Sequence, residues 1–163
     1  PTEPTEYTDT FGTDCAFTAE WMRSTGIFEG ETLAGNPCFF PEKTVTKGEF
    51  LTMVVKTLSI PVEDQADASL SGNIPQWLRP YAVAALRAGL TAGTIWQGDF
   101  EGSDAVTTRE AAALLCACLD LDAEPESVET ALEERGLLLP DTENLTREDA
   151  ANVLYQLSGL LKT

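Results

Sequence analysis

The sequence contains no histidine and few basic residues. In 163 residues, only 10 lysines and arginines stand against 27 aspartates and glutamates, which gives a formal net charge of −17 at pH 7. Without histidine, the chain cannot build a Ser-His-Asp or Cys-His catalytic group or a histidine metal site. Nucleic acids and anionic membrane surfaces are bound through Lys and Arg, so the charge argues against both as partners.

Long hydrophobic runs are also absent. No stretch approaches the roughly 20 apolar residues that cross a bilayer, so we predict no membrane insertion. The first residues lack the basic and apolar pattern of a signal peptide. Residues 1–6 form a Pro/Thr/Glu tract typical of a linker, and we expect the chain to belong to a longer protein. The apolar content of 43% is sufficient for a folded core.

Cysteines are few, and their spacing leaves their state open. Cys116 and Cys118 lie in an apolar helical run, which favours small buried side chains. Cys15 and Cys38 lie in the first third of the chain, where a disulfide and two free thiols are both compatible with the spacing. The spacings do not fit a zinc site with four cysteines, and no metal or other cofactor is predicted.

A short pattern occurs three times, at residues 45–50, 106–111 and 145–150. Each copy has an apolar residue, then Thr, and then an acid three positions after the Thr. This is the spacing of a capping box, in which the Thr side chain and the acid bind each other's backbone amides at a helix start. We therefore predict three helix starts with these capping pairs: Thr46 and Glu49, Thr107 and Glu110, and Thr146 and Asp149.

Each of these segments continues with the apolar spacing of an amphipathic helix. Upstream of each, a second helical pattern ends at a glycine, as is typical of a helix C-terminus: Gly26, Gly89 and Gly136. The repeating unit is thus a helix, a glycine turn, a loop and a second helix. We divide the chain into a linker (1–6), a first module (7–60), a second module (61–122) and a shortened third module (123–163).

The motifs of these units resemble those of the S-layer homology (SLH) family, whose modules usually occur in three tandem copies. The first unit contains Tyr7-Thr8-Asp9, Gly26-Ile27, Phe39-Phe40-Pro41 and Thr46-Lys47-Gly48-Glu49. The second contains Asp67, Trp77, Gly89-Leu90 and Thr107-Thr108-Arg109-Glu110. The third keeps only Gly136-Leu137 and Thr146-Arg147-Glu148-Asp149.

The resemblance implies a mainly α fold, in which three helix-loop-helix modules pack as a pseudo-threefold bundle with long irregular loops. It also implies a non-catalytic anchor, part of a larger secreted protein, located outside the cell at the bacterial cell wall. SLH modules bind secondary cell-wall polysaccharide that carries pyruvylated sugars, in the grooves between modules. The partner expected for this chain is therefore a bacterial cell-wall polymer.

The resemblance also implies ligand-binding residues. The basic residue at the helix start, which meets the sugar carboxylate, corresponds to Lys47 and Arg147, with Arg109 displaced by one position. Helix-initial amides would favour the same anion. The opening acids Asp9 and Asp67 and the sugar-stacking Trp77 complete the set: Lys47, Arg109, Arg147, Trp77, Asp9 and Asp67. Because the second unit has Thr108 at the basic position, we expect fewer than three binding grooves.

Several alternatives stay open at this stage. Trp77 is also compatible with a packing anchor, and Lys47 and Arg147 with ordinary surface charge. The whole chain could keep the SLH fold as a structural or protein-interaction element without binding carbohydrate. An acidic loop at residues 99–104 is a weaker candidate for calcium, since it lacks EF-hand spacing. An enzyme with two catalytic carboxylates would need a cleft that the sequence does not reveal.

Overall fold

The computed structural model describes residues 7–10, 12–13, 15–62, 77–90, 104–121 and 124–161, and this part of the chain is mainly helical, as predicted. The helices are α1 (Ala16–Ser24), α2 (Lys47–Thr57), α3 (Arg79–Arg87), α4 (Thr108–Cys118), α5 (Val128–Glu134) and α6 (Arg147–Leu161). A 3₁₀ turn, Pro125–Ser127, leads directly into α5. One antiparallel hairpin, β1 (Glu31–Leu33) and β2 (Asn36–Cys38), lies between α1 and α2.

Reciprocal side-chain hydrogen bonds fix the starts of α2, α4 and α6. In α4, the Glu110 amide donates to Thr107 Oγ1 at 3.0 Å, and the Thr107 amide donates to Glu110 Oε1 at 2.9 Å. Two further pairs make the same two bonds: Thr46 with Glu49, and Thr146 with Asp149. These bonds satisfy amides that a helix start leaves without an intrahelical acceptor. The repeated pattern therefore fixes the residues at which three helices begin.

The hairpin lies where the sequence predicts a loop. Its turn places Ala34 and Gly35 at φ values of 54° and 84°, so both central residues are left-handed, which suits a tight two-residue hairpin. Gly35 adopts this conformation at little cost, whereas Ala34 gives no such signal in the sequence. The hairpin brings Glu31 opposite Cys38, beside the loop that leads to α2.

Three apolar residues that precede the capping threonines form a closed cycle of backbone hydrogen bonds. The Val45 amide donates to the Leu145 carbonyl at 2.9 Å, and the Val106 amide donates to the Val45 carbonyl at 2.9 Å. The Leu145 amide closes the cycle on the Val106 carbonyl at 3.1 Å. All three side chains are buried, so the three repeats meet at the centre of the described core.

Helix packing follows the same cyclic order. α3 packs against α2, α5 packs against α4, and α1 packs against α6. The first helix of each sequence unit therefore contacts the second helix of the preceding unit, and the first and last units close the cycle. Neighbouring units bury each other's apolar stripes, which none could bury alone. A pseudo-threefold relation between entire modules, and the module boundaries, stay predictions.

None of the helices in the described ranges combines the length and the apolar character that crossing a membrane requires.

Candidate functional site

Arg147, the first residue of α6, is a nearly buried cation. Its Nη1 donates to the Phe39 carbonyl at 2.9 Å, and its Nη2 lies 2.8 Å from Glu31 Oε2. The guanidinium carbon also lies 5.0 Å from the centre of the Phe28 ring. The residue is only 4% exposed. A carboxylate, a carbonyl and an aromatic face together compensate for the water that the guanidinium loses.

Glu31 joins Arg147 to a second cation, Lys43. Lys43 Nζ lies 3.2 Å from the same Glu31 oxygen that faces Arg147. The hydrogen bond with Arg147, followed by that with Lys43, lowers the pKa of Glu31 below its ordinary value. Two positive side chains from distant parts of the sequence thus converge on one carboxylate oxygen.

A cavity of about 520 Å³ lies next to this cluster. We call it the hairpin cavity, and its described lining consists of Asp9, Thr13, Glu31, Phe40, Pro41, Glu42 and Lys43. Three of these residues carry carboxylates and one carries an ammonium group, so the lining has an excess of negative charge. Arg147 is not part of that lining but lies behind Glu31.

Asp9 supports the wall of the hairpin cavity. Its Oδ1 accepts from the Phe39 amide and its Oδ2 from the Phe40 amide, both at 2.8 Å. Phe40 has a φ of 55°, a left-handed conformation that an aromatic residue rarely adopts. The carboxylate of Asp9 therefore holds the strained loop that carries Pro41 and Lys43.

The start of α6 does not offer its first amides to an anion, which differs from the expectation above. The Arg147 amide donates to the Lys43 carbonyl at 2.8 Å, and the Glu148 amide donates to the Pro41 carbonyl at 3.0 Å. The Asp149 amide donates to Thr146 Oγ1. Since these amide donors are already paired within the chain, an acidic ligand at this site would be attracted by the cationic side chains.

The other predicted cations lie elsewhere and pair with carboxylates. Lys47 Nζ lies 3.1 Å from Glu110 Oε2, which links α2 to α4, with both side chains 20% exposed. Arg109 Nε lies 3.5 Å from Glu129 Oε1 at the surface between α4 and α5. Neither cation is among the described residues that line the hairpin cavity.

The remaining predicted site residues do not join the cluster. Trp77 is 54% exposed just before α3, so its side chain is not a buried packing anchor. Asp67 lies outside the described residues. The structure thus brings Asp9 and Arg147 to the same Phe39–Phe40 backbone, where Asp9 accepts from the amides and Arg147 donates to a carbonyl. Lys47, Arg109 and Trp77 are not part of this arrangement.

Sequence reasoning missed two of the residues that make up the cluster. Lys43 carries a signal, because it is one of only 10 basic residues and lies three positions before the capping Thr46. Glu31 carries none, since it is one of 27 acids and its partner Arg147 is distant in sequence.

The four cysteines are free thiols. Cys15, Cys38 and Cys116 are buried, while Cys118 is partly exposed. Within the described ranges, no group of three or more Cys, Asp or Glu side chains is arranged to hold a metal ion. Of the acidic loop at 99–104, only Asp104 is described, and its carbonyl accepts from the Lys47 amide.

Comparison with known proteins gives two partial matches. Over 98 residues, the chain is 30% identical to an S-layer protein of Bacillus thuringiensis subsp. finitimus. The aligned region covers 59% of this chain and 12% of that protein. Over 84 residues it is 31% identical to the S-layer protein sap of Bacillus anthracis, covering 52% and 10% respectively. No protein-family model matches the chain. The chain thus spans about a tenth of the length of these relatives, and over about half of its own length it is related to bacterial S-layer proteins.

Proposed function

We propose that this chain is a non-catalytic SLH-type module that attaches a larger bacterial surface protein to the cell wall. Its ligand would be an acidic secondary cell-wall polysaccharide that carries pyruvylated sugars. The relationship to S-layer proteins supports a role at the cell surface. The repeated capping pattern and the cyclic contacts between its copies support the SLH assignment.

The observation that carries the proposal is the convergence of Arg147 and Lys43 beside the hairpin cavity. They belong to the third and first predicted modules, so we assign the site to the boundary between these two modules, with the hairpin cavity on the side of the first module. Paired cations recognise a carboxylate through short, charge-assisted hydrogen bonds, and the planar guanidinium adds directionality. A cavity of about 520 Å³ has room for a monosaccharide-sized group. We assign ligand binding to the hairpin cavity, whose wall Asp9 shapes.

Co-sedimentation with purified cell-wall sacculi tests this function. The sacculi should carry the pyruvylated polymer, and a matched sample should have its acid-labile pyruvyl ketals removed by mild hydrolysis. We expect the protein to sediment with the first sample and to stay in solution with the second. If the folded protein fails to bind the pyruvylated sacculi, or binds both samples equally, the proposal is wrong.

Two single substitutions locate the site. Lys43→Gln removes a cation from the hairpin cavity, whereas Arg109→Gln removes an exposed cation on another face. Both variants change the net charge equally, so a general charge effect would weaken them alike. We expect only Lys43→Gln to weaken sedimentation. An equal loss of sedimentation in the two variants would place binding outside the hairpin cavity.

A structural or protein-interaction element is the second candidate. It is favoured by the fact that each predicted cation already has a carboxylate partner within the chain: Lys47 with Glu110, Arg109 with Glu129, and Arg147 with Glu31. This candidate predicts that the folded chain does not bind sacculi but associates with other parts of its parent protein, which analytical ultracentrifugation of a mixture would detect.

A further inference from the structure

We propose that Glu31 is an internal counter-ion of the ligand site. Its carboxylate occupies the position that the ligand's acid group takes when bound, and the ligand displaces it. The inference rests on the proposed function and adds the event that binding requires. It also makes Glu31 a residue that determines ligand specificity.

The position of Glu31 is the first reason. Its Oε2 lies 2.8 Å from Arg147 Nη2 and 3.2 Å from Lys43 Nζ, so a single oxygen meets both cations. These are the contacts that a sugar-borne carboxylate would need in order to use the same cations. An external acid and Glu31 therefore compete for one position.

Accessibility is the second reason. The side chain of Arg147 is 5% exposed, whereas that of Glu31 is 46% exposed and lines the hairpin cavity. Glu31 thus lies between the cavity and the guanidinium. A ligand in the cavity reaches Arg147 only after the Glu31 side chain has turned away into solvent.

The surrounding backbone allows this exchange without unfolding. Glu31 is the first residue of a hairpin with three-residue strands, and its neighbour Gly30 is held by a hydrogen bond from its amide to Tyr7 Oη at 2.9 Å. Rotation about the side-chain bonds of Glu31 is sufficient to release both cations. The hairpin backbone does not need to move. The side chain of Lys43 is 56% exposed, so it can reorient to contact the acid group of the bound ligand.

The exchange has a consequence for ligand choice. A neutral sugar that displaced Glu31 would leave the buried guanidinium without a counter-charge, which is costly. An acidic sugar restores the counter-charge, so the site selects carboxylate-bearing glycans against neutral ones of the same shape. The built-in competitor also lowers the affinity for the correct ligand.

Isothermal titration calorimetry can test the exchange with a defined probe. The probe is a methyl glycoside of an N-acetylhexosamine with a 4,6-O-pyruvyl ketal, and its carboxylate methyl ester is the matched neutral control. The proteins are the wild type, Glu31→Gln and Glu134→Gln. Each variant removes one negative charge, but Glu134 is exposed at the end of α5 and is not among the described residues that line the hairpin cavity.

We expect Glu31→Gln to bind the acidic probe about tenfold more tightly than the wild type, because a neutral amide competes less well for the two cations. Glu134→Gln should change the Kd by about twofold or less, since its charge is exposed, screened and outside the hairpin cavity. The methyl ester should bind none of the three proteins measurably. Circular dichroism checks that both variants are folded.

The possible failures separate the two proposals. If all three proteins bind the acidic probe but the affinity of Glu31→Gln rises no more than that of Glu134→Gln, the exchange is wrong and the proposed function stands. If Glu31→Gln gains equally with the methyl ester, the gain is not ionic and the exchange is wrong as well. If no folded protein binds the acidic probe, the proposed function itself fails, and the exchange with it.

Discussion

At the residue scale, the described part of the chain is distinguished by Arg147, a cation that folding removes from water. Desolvating a guanidinium costs several kcal/mol, and a single carboxylate seldom repays that cost. Here Glu31 supplies the counter-charge, the Phe39 carbonyl accepts a further hydrogen bond, and the Phe28 ring covers one face. The Arg147 side chain therefore serves the fold whether or not a ligand is bound.

Replacing Arg147 should accordingly destabilise the protein. Arg147→Ala removes the donor to the buried Phe39 carbonyl and the main partner of Glu31, and we expect a loss of about 1–3 kcal/mol in the free energy of unfolding. Arg109→Ala breaks an exposed pair and should cost about 0.5 kcal/mol or less. Urea unfolding followed by circular dichroism measures both, and equal losses would contradict the role given to Arg147.

Glu31 gives a pH dependence whose sign is fixed. Its pKa in the folded state is lower than its ordinary value of 4.5, so the unfolded state takes up its proton first as the pH falls. The stabilisation is fully present above about pH 5 and is lost as the pH falls through the folded-state pKa. We expect the stability difference between the wild type and Glu31→Gln to shrink between pH 7 and pH 3. A difference that grows on acidification would contradict this.

The thiols provide a further residue-scale test. Although Cys118 is partly exposed, desolvation of its thiol raises its pKa to about 12, and Cys15, Cys38 and Cys116 are buried. The thiolate is the reactive form, so we expect almost no reaction of the native protein with Ellman's reagent at pH 8. Unfolding in guanidinium without reductant should expose four reactive thiols. A count of two would mean that one disulfide joins a pair of cysteines.

At the scale of elements, the capping boxes and the hairpin stabilise the fold in different ways. The capping pairs act within four residues and fix where α2, α4 and α6 begin. The hairpin depends on non-local contacts, because the Gly30 amide donates to Tyr7 Oη and the Thr8 amide donates to the Pro37 carbonyl, both at 2.9 Å. Its two short strands would be marginal without this attachment to the core.

A pair of glycine substitutions separates these effects. Gly30→Ala would place Cβ against the Cys38 carbonyl and 2.9 Å from the Tyr7 ring, so it should displace the hairpin and destabilise the protein. Gly159→Ala, in α6, meets nothing within 4 Å and should stabilise the protein by about 0.5–1 kcal/mol through helix propensity. Thermal unfolding measures both, and a neutral Gly30→Ala would contradict the close approach.

At the scale of the whole molecule, hydrogen bonds and helix contacts connect the three sequence units. Each unit donates a central hydrogen bond to a neighbouring unit, and each first helix packs against another unit's second helix. Unfolding of one unit therefore breaks contacts with both of the other units. We expect a single unfolding transition instead of three independent ones.

Native-state hydrogen exchange tests this cooperativity. The amides of Val45, Val106 and Leu145 form the central cycle, so they should exchange with the same free energy of opening, equal to that of global unfolding. An amide near the exposed end of α5 provides the contrast, since local fraying exposes it. Clearly different opening free energies for the three central amides would show that the units unfold separately.

Local patterns made much of this fold predictable. The Thr and acid pairs, the glycines after α1, α3 and α5, and the apolar stripes all act over a few residues, and the structure has helices at each of the predicted places. The mainly α fold is therefore a consequence of the sequence pattern.

The candidate site was less predictable, because its partners are distant in sequence. Arg147 was a candidate from its motif, but its burial and its pairing with Glu31 depend on α6 meeting the hairpin of the first unit. Lys43 joins only because the loop before α2 bends around Asp9.

Local residue order and composition dictate the helix starts, the three repeated units and the scarcity of positive charge. The pairing of each cation with its acid depends on how the helices and the hairpin pack in three dimensions. An ion pair forms between whichever charges the packing brings within a few ångströms, and the packing here joins residues 31 and 147 across the whole chain.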